Sequence, residues 1–206
     1  ASSVLGNAHV QSINVQDTGA NILSNLSALQ SGAGKIGSIV VSGSSQVLSM
    51  SAAQYSNSQA ALGKLTGTNY SFSVTGVSAS SALSVMNDAR VKGVTISDTG
   101  TNLLSKLDQL SASADAGKIG SITQTDLSKG LSLTATQFSQ DAGVLGKIAG
   151  AYKLVVTDVA AGNAGTVAGN AHVQSFTVKD AGSSVLGNLS TLQANAVSYT
   201  HLRAHE

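Results

Sequence analysis

The chain repeats itself. The stretch His9-Val10-Gln11-Ser12-Ile13-Asn14-Val15-Gln16-Asp17 returns as Arg90-Val91-Lys92-Gly93-Val94-Thr95-Ile96-Ser97-Asp98. It returns again as His172-Val173-Gln174-Ser175-Phe176-Thr177-Val178-Lys179-Asp180, so the closing aspartates stand 81 and 82 residues apart. One apolar pattern follows each aspartate: Ile22, Leu23, Leu26, Leu29; then Leu103, Leu104, Leu107, Leu110; then Val185, Leu186, Leu189, Leu192. Lys35-Ile36-Gly37-Ser38-Ile39 recurs as Lys118-Ile119-Gly120-Ser121-Ile122, and Leu62-Gly63-Lys64-Leu65 as Leu145-Gly146-Lys147-Ile148. Self-similarity at such a period confines the fold to units that stack or string along the chain.

The period assigns residues 1–8 to the end of one unit, 9–89 to a first full unit, 90–171 to a second and 172–196 to the start of a third. Gly6-Asn7-Ala8-His9 returns as Gly169-Asn170-Ala171-His172, so the sequence is expected to enter and leave an array in mid-unit. The first residues, without Met or a basic region, do not read as a signal peptide.

Within a unit, period-2 apolar stretches alternate with helical stripes, which gives strand-then-helix modules. In the first module Ile13 and Val15 mark a strand, Asp17 is the expected N-cap, and Ile22 to Leu29 mark a helix. Ser31-Gly32-Ala33-Gly34 is expected to end that helix with a left-handed glycine. The second module reads as strand Lys35–Ser42, a turn at Gly43-Ser44-Ser45, strand Gln46–Met50 and a helix over roughly Ala52–Leu65. The third reads as strand Tyr70–Val74 and a short helix over Ser80–Asp88. Residues 90–117, 118–150 and 151–171 follow the same plan. Alternating strands and helices with short connections predict an α/β fold with parallel strands and right-handed crossovers. The expected architecture is a repeat solenoid with an open parallel sheet and helices on one side; the alternative is a string of compact α/β repeat domains.

Composition excludes several partners. Charged residues make up 10% and the net charge is +1, which provides neither a field for nucleic acid nor a polybasic face for lipid. Aromatic residues are 3%, poor material for stacking on bases or sugars. There is no cysteine, hence no disulfide framework or thiolate metal site. No apolar run reaches the roughly 18 residues of a membrane span, so no membrane insertion is expected.

Individual motifs yield no catalytic, cofactor-binding or metal site. Gly32-Ala33-Gly34-Lys35-Ile36-Gly37 matches G-x-G-x-x-G, but it follows a helix and opens a strand, the reverse of a dinucleotide site. Its counterpart begins with Asp115, and Ile36 stands where a phosphate loop needs Ser or Thr. His9 and His172 share a repeat position with Arg90, which no metal site accepts as a ligand, and read as solvated residues at strand starts. Asp17, Asp98 and Asp180 lack the clustering that wraps calcium and read as helix caps. Tyr55 matches Phe138 and Tyr70 matches Tyr152; these read as core or rim packing.

Val15 to Leu29 spells V-x-D-T-G-x-N-I-x-x-N-L-x-x-L; K-I-x-S-I and, from Leu131 to Gln137, L-x-L-T-A-x-Q follow in the unit. This pattern resembles the repeats of very large secreted bacterial proteins, typically rich in Ala, Ser, Thr and Gly. The resemblance covers about residues 1–195 and implies an extracellular or cell-surface protein used as stalk, adhesin or matrix component. It transfers no site residue. Partners are expected to be neighbouring repeats, with surface glycan or protein as a further class. The functions expected are a structural and adhesive spacer, a ligand-binding solenoid surface, or accessory repeats of a secreted enzyme, in that order.

Residues 197–206 break the pattern. Val197-Ser198-Tyr199-Thr200-His201-Leu202-Arg203-Ala204-His205-Glu206 matches nothing upstream, yet holds two of the four histidines in the chain. It resembles translated sequencing-adapter DNA and reads as a non-native tail, expected to make no repeat-type contacts. His201 and His205 are therefore not counted as ligands despite their i, i+4 spacing.

Overall fold

The computed structural model describes residues 2–127, 130–195 and 199–205. Its strands are β1 (Ile13–Thr18), β2 (Ile36–Ser42), β3 (Gln46–Ser51), β4 (Leu65–Thr66), β5 (Tyr70–Val77), β6 (Val91–Asp98), β7 (Ile119–Gln124), β8 (Leu131–Thr134), β9 (Leu154–Val159), β10 (Val173–Ala181) and β11 (Tyr199–His205). Helices connect most of them, short loops joining β2 to β3 and β4 to β5, and the fold is α/β with parallel pairing. Two compact units form: residues up to Val77 with Ser81–Ile96, and Ser78–Ser80 with residues from Ser97 onward. Among the described residues no helix is long and apolar enough to cross a membrane.

In the first unit β1, β2 and β4 lie side by side, as do β3, β5 and β6, all parallel. In the second, β8, β9, β10 and β11 form a parallel row, and β7 meets the next module through an Ile122–Ile148 bridge. The registers repeat. Leu48 faces Phe72 and Phe72 faces Val91; Leu131 faces Leu154 and Leu154 faces Val173. The alternating apolar residues of these strands, among them Ile39, Leu48, Val74, Ile96, Val156 and Phe176, are buried. Each fully buried side chain of this size contributes roughly 1.5–3 kcal/mol.

Helix boundaries follow local chemistry. The first apolar stripe is two short helices, Gly19–Ser24 and Leu26–Ser31, broken at Asn25. There the Asn25 side chain donates to Asn21 O at 2.9 Å, competing with the helix for the carbonyl. The third repeat breaks at Asn188 in the same way, with a 2.9 Å bond to Ser184 O. Lys106 stands at that place in the second repeat, and the helix Gly100–Ala112 runs unbroken. The stripe after β3 ends at Leu62, earlier than expected, because Leu65–Thr66 pairs with Ile39 and Val40 as β4.

Two local expectations are corrected. The N-cap is Thr18, not Asp17: strand β1 runs one residue further, and the Thr18 hydroxyl accepts from Asn21 N. Thr99 does the same after Asp98. Gly32 does not adopt a left-handed conformation (φ −96°); its lack of a side chain makes room for Leu5, a methyl of which would lie 2.6 Å from a Cβ there. Leu26 and Leu107 are buried, and Leu189, whose burial is expected only as far as a cut end permits, is 42% exposed. The helices carrying Leu26 and Leu107 pack against the following helices Gln59–Leu62 and Ala142–Leu145. No such later helix covers Leu189 among the described residues.

The expectation that the tail makes no repeat-type contacts is also corrected, as far as it is described; residues 196–198 and 206 lie outside the described residues. The backbone of β11 runs parallel to β10, with Phe176 opposite Tyr199 and Thr177 opposite His201. This is the spacing and the shift seen where Ile13 faces Ile36 and Asn14 faces Ser38. The physical reason is that strand pairing uses backbone groups every residue carries, and an open parallel edge accepts any extended segment tethered at the right distance.

Candidate functional site

Each repeat brings together the helix after β3 or β8, the start of β5 or β9, and the turn before β6 or β10. In the first repeat this place is filled. Tyr55 is buried on the helix Ala52–Asn57, and its hydroxyl donates to Asp88 at 2.9 Å. Phe72 from β5 meets the Tyr55 ring edge-on at 6.1 Å and the Tyr70 ring at 5.5 Å. Arg90 closes the cluster. Its guanidinium lies 4.9 Å from the Phe72 ring centre, contacts Asp88 at 2.8 Å and donates to Leu62 O at 2.9 Å. A guanidinium over an aromatic face is stabilised by the ring quadrupole as well as by its carboxylate.

The electrostatics follow from this packing. The Arg90 side chain holds the Asp88 carboxyl down at about 2, against an opposing effect of burial. Asp88 in turn pushes the Arg90 guanidinium up. Burial first, then Asp88, pushes the Tyr55 hydroxyl up.

In the second repeat the same place is open. Phe138 replaces Tyr55, Leu154 replaces Phe72, Asn170 replaces Asp88 and His172 replaces Arg90. The hydroxyl, one ring and both charges of the first-repeat cluster are gone. A cleft of about 740 Å³ results, walled by Phe138, Leu145, Ile148, Leu154 and Val167. Its rim carries Ser139, Asn163, Thr166, Asn170 and His172. Tyr152 is buried and its hydroxyl donates to Leu145 O at 3.2 Å, taking the carbonyl that Arg90 reaches at Leu62 in the first repeat. Burial pushes that hydroxyl up. The His172 imidazole stacks flat on the Tyr152 ring at 3.9 Å, and its Nδ1 lies 3.3 Å from Tyr152 O. His172 is therefore a stacked, half-buried residue and not the solvated one expected from the sequence, whereas His9 is exposed. Tyr70 and Tyr152 pack as expected.

The turn before these strands is built alike in three places. The side chains of Asn7, Asp88 and Asn170 each accept from the backbone N–H two residues on, at His9, Arg90 and His172, all at 2.9 Å. This Asx turn explains why Asn or Asp recurs there whatever the neighbouring residue.

The recurring aspartates at the strand ends bind backbone. Asp98 accepts from Thr99 N at 2.8 Å and from the Asn102 side chain at 2.7 Å through one oxygen. Its other oxygen accepts from Ala79 N at 2.9 Å, the first residue of the helix Ala79–Met86. Asp180 likewise accepts from Ala181 N at 2.8 Å and from Ala161 N at 3.0 Å. Asp17 accepts from Thr18 N at 2.8 Å and from Asn21 at 2.6 Å. All three carboxyls sit below the ordinary carboxylate range: Asp17 chiefly through Asn21 and Asp180 through Ala161. At Asp98 burial acts the other way and is outweighed by Asn102 and the two backbone donors.

Gly32 to Gly37 runs from helix end through a short 3-10 turn, Ala33–Lys35, into β2, the order read from the sequence. Among the described residues no three His, Asp or Glu side chains gather as a metal site. Asp141, not singled out in the sequence, is buried with one oxygen unpartnered, and burial pushes its carboxyl up. Comparison with protein-family models, with curated proteins and with solved structures finds no match to this chain.

Proposed function

We propose that the chain is a structural and adhesive spacer, a section of a tandem array in a large secreted or cell-surface bacterial protein, with no catalytic step of its own. On this reading the modules stack as a solenoid, each covering the apolar edge of the one before, and the neighbouring repeats are the principal partners. The observation that supports it is the recurrence of contacts with the sequence period. The Asx turn closes at 2.9 Å before β6 and before β10, and the strand-end aspartates bind helix starts at 2.9 and 3.0 Å. A sequence that spends its recurring polar residues on backbone positions is specifying a scaffold. The low charge and small side chains suit an extended surface that does not attract ions or polyelectrolytes.

Stretching a chain of several such units in tandem between two surfaces tests the proposal. A load-bearing array should unfold in even steps, each releasing about 280 Å of chain if a unit of 81 residues opens as one. Featureless extension at negligible force would refute a mechanical role.

A further inference from the structure

We infer that the cleft of the second repeat is a binding site for a small, uncharged, ring-containing ligand. The first repeat shows what the place holds when the chain fills it itself. There Tyr55 and Phe72 are buried against each other, and the Gln59 side chain folds back to donate to Tyr55 O at 2.7 Å. The matching residues of the second repeat are Phe138, Leu154 and Ala142, each smaller, and all line the cleft. The second repeat thus lacks a phenolic hydroxyl, the excess bulk of a phenyl over an isobutyl group, and the amide end of a glutamine. What remains, about 740 Å³, is within the size range of small-molecule sites.

The lining chooses among ligands. It includes no Lys, Arg, Asp or Glu, so it offers no counter-charge to an ion. The apolar walls include the Phe138 ring with Leu145, Ile148 and Leu154, which favours a flat apolar body. The Asn163, Thr166 and Asn170 side chains at the rim can hydrogen-bond one or two polar atoms of that body. Tyr152 and His172 are already spent on each other at 3.9 Å and form a rigid wall, so little ordering is needed on binding.

The test is titration of the full chain with N-phenyl-1-naphthylamine, a neutral ring compound whose fluorescence rises in apolar surroundings. Saturable binding at one site per chain is expected. The double variant Leu154→Phe and Ala142→Gln, which restores the first-repeat residues, should weaken it by at least about tenfold, as a small steric change in an apolar pocket does. Circular dichroism checks that the variant folds. Should it not fold, ring and methyl NMR signals of the unaltered chain decide: shifts confined to Phe138, Tyr152, Ile148 and Leu154 support the site. No saturable binding, equal binding by the folded variant, or shifts elsewhere would overturn it. So would displacement of the probe by self-association of the chain, which would put a second copy in the cleft.

Discussion

The carboxylate of Asp98, at the end of β6, accepts a hydrogen bond from the backbone N–H of Ala79, at the start of the helix that precedes that strand, at 2.9 Å. One side chain thereby fixes the end of a strand to the beginning of its own crossover. Replacing Asp98 by Ala removes the acceptor and leaves helix-start N–H groups of Ala79 and Thr99 to be satisfied otherwise. The expected loss is about 1–3 kcal/mol in denaturant unfolding, with Asp98→Asn losing less because it keeps an acceptor oxygen. A loss indistinguishable from zero would mean water replaces the bond without cost.

Acid should loosen the first repeat through Asp88. Its folded carboxyl sits at about 2, below its ordinary value, so the unfolded chain binds this proton first as pH falls. The stability it contributes is fully present above about pH 4 and is lost as the pH drops through the folded value near 2. Asp17, Asp98 and Asp180 are shifted the same way and add to the fall. Asp141 is shifted up, so its contribution runs the other way and fades as pH rises. Denaturant unfolding between pH 5 and 2 should therefore show a shallower acid loss in Asp88→Asn than in the unaltered chain. Parallel curves would contradict the Asp88–Arg90 assignment.

Leucines at one repeat position should differ in cost according to what covers them. Leu107 is 4% exposed and Leu189 is 42% exposed. Leu107→Ala should cost on the order of 2–5 kcal/mol through lost transfer energy and a cavity, and Leu189→Ala well under half of that. Thermal or denaturant unfolding of the pair checks the ranking, and equal costs would contradict it.

Much of this was legible in the residues. The strands at Ile36–Ser42 and Gln46–Ser51 fall where the period-2 pattern puts them, and the helix-to-strand order of Gly32–Gly37 follows from the apolar stripe before it. Ser51-Ala52-Ala53-Gln54 and Thr134-Ala135-Thr136-Gln137 carried a further signal, since each forms a capping box in which Ser or Thr and Gln cap each other's backbone. The cleft was not legible, because it arises from substitutions such as Tyr55 to Phe138 that look conservative along the sequence. Only their convergence on one place, with Arg90 becoming His172, opens a volume. The role of the aspartates was half legible: their recurrence was visible, but the bond from Asp98 to Ala79 joins residues 19 apart whose meeting depends on the crossover path.

Glycine at the first helical position should matter where a neighbour presses on it. A Cβ at Gly19 would lie 2.5 Å from a Leu48 methyl, and one at Gly100 would lie 2.8 Å from a Leu131 methyl. At Gly182 no such neighbour lies within 4 Å among the described residues. Gly100→Ala should destabilise by about 1–3 kcal/mol through overpacking. Gly182→Ala should be neutral or stabilising by a few tenths of a kcal/mol, because alanine lowers the entropy of the unfolded chain. A melting comparison of the two variants decides, and a reversed order would show that the leucine contacts yield freely.

The central claim, an array of stacked strand–helix modules, is tested most directly by small-angle X-ray scattering from chains carrying one, two and three copies of the unit. Stacked modules add length at a fixed rate, so the maximum dimension should grow by a constant increment per copy, and the cross-section should stay unchanged. A maximum dimension that rises only as about the cube root of chain length, with a thickening cross-section, would show that the repeats collapse into one globule and would contradict the account.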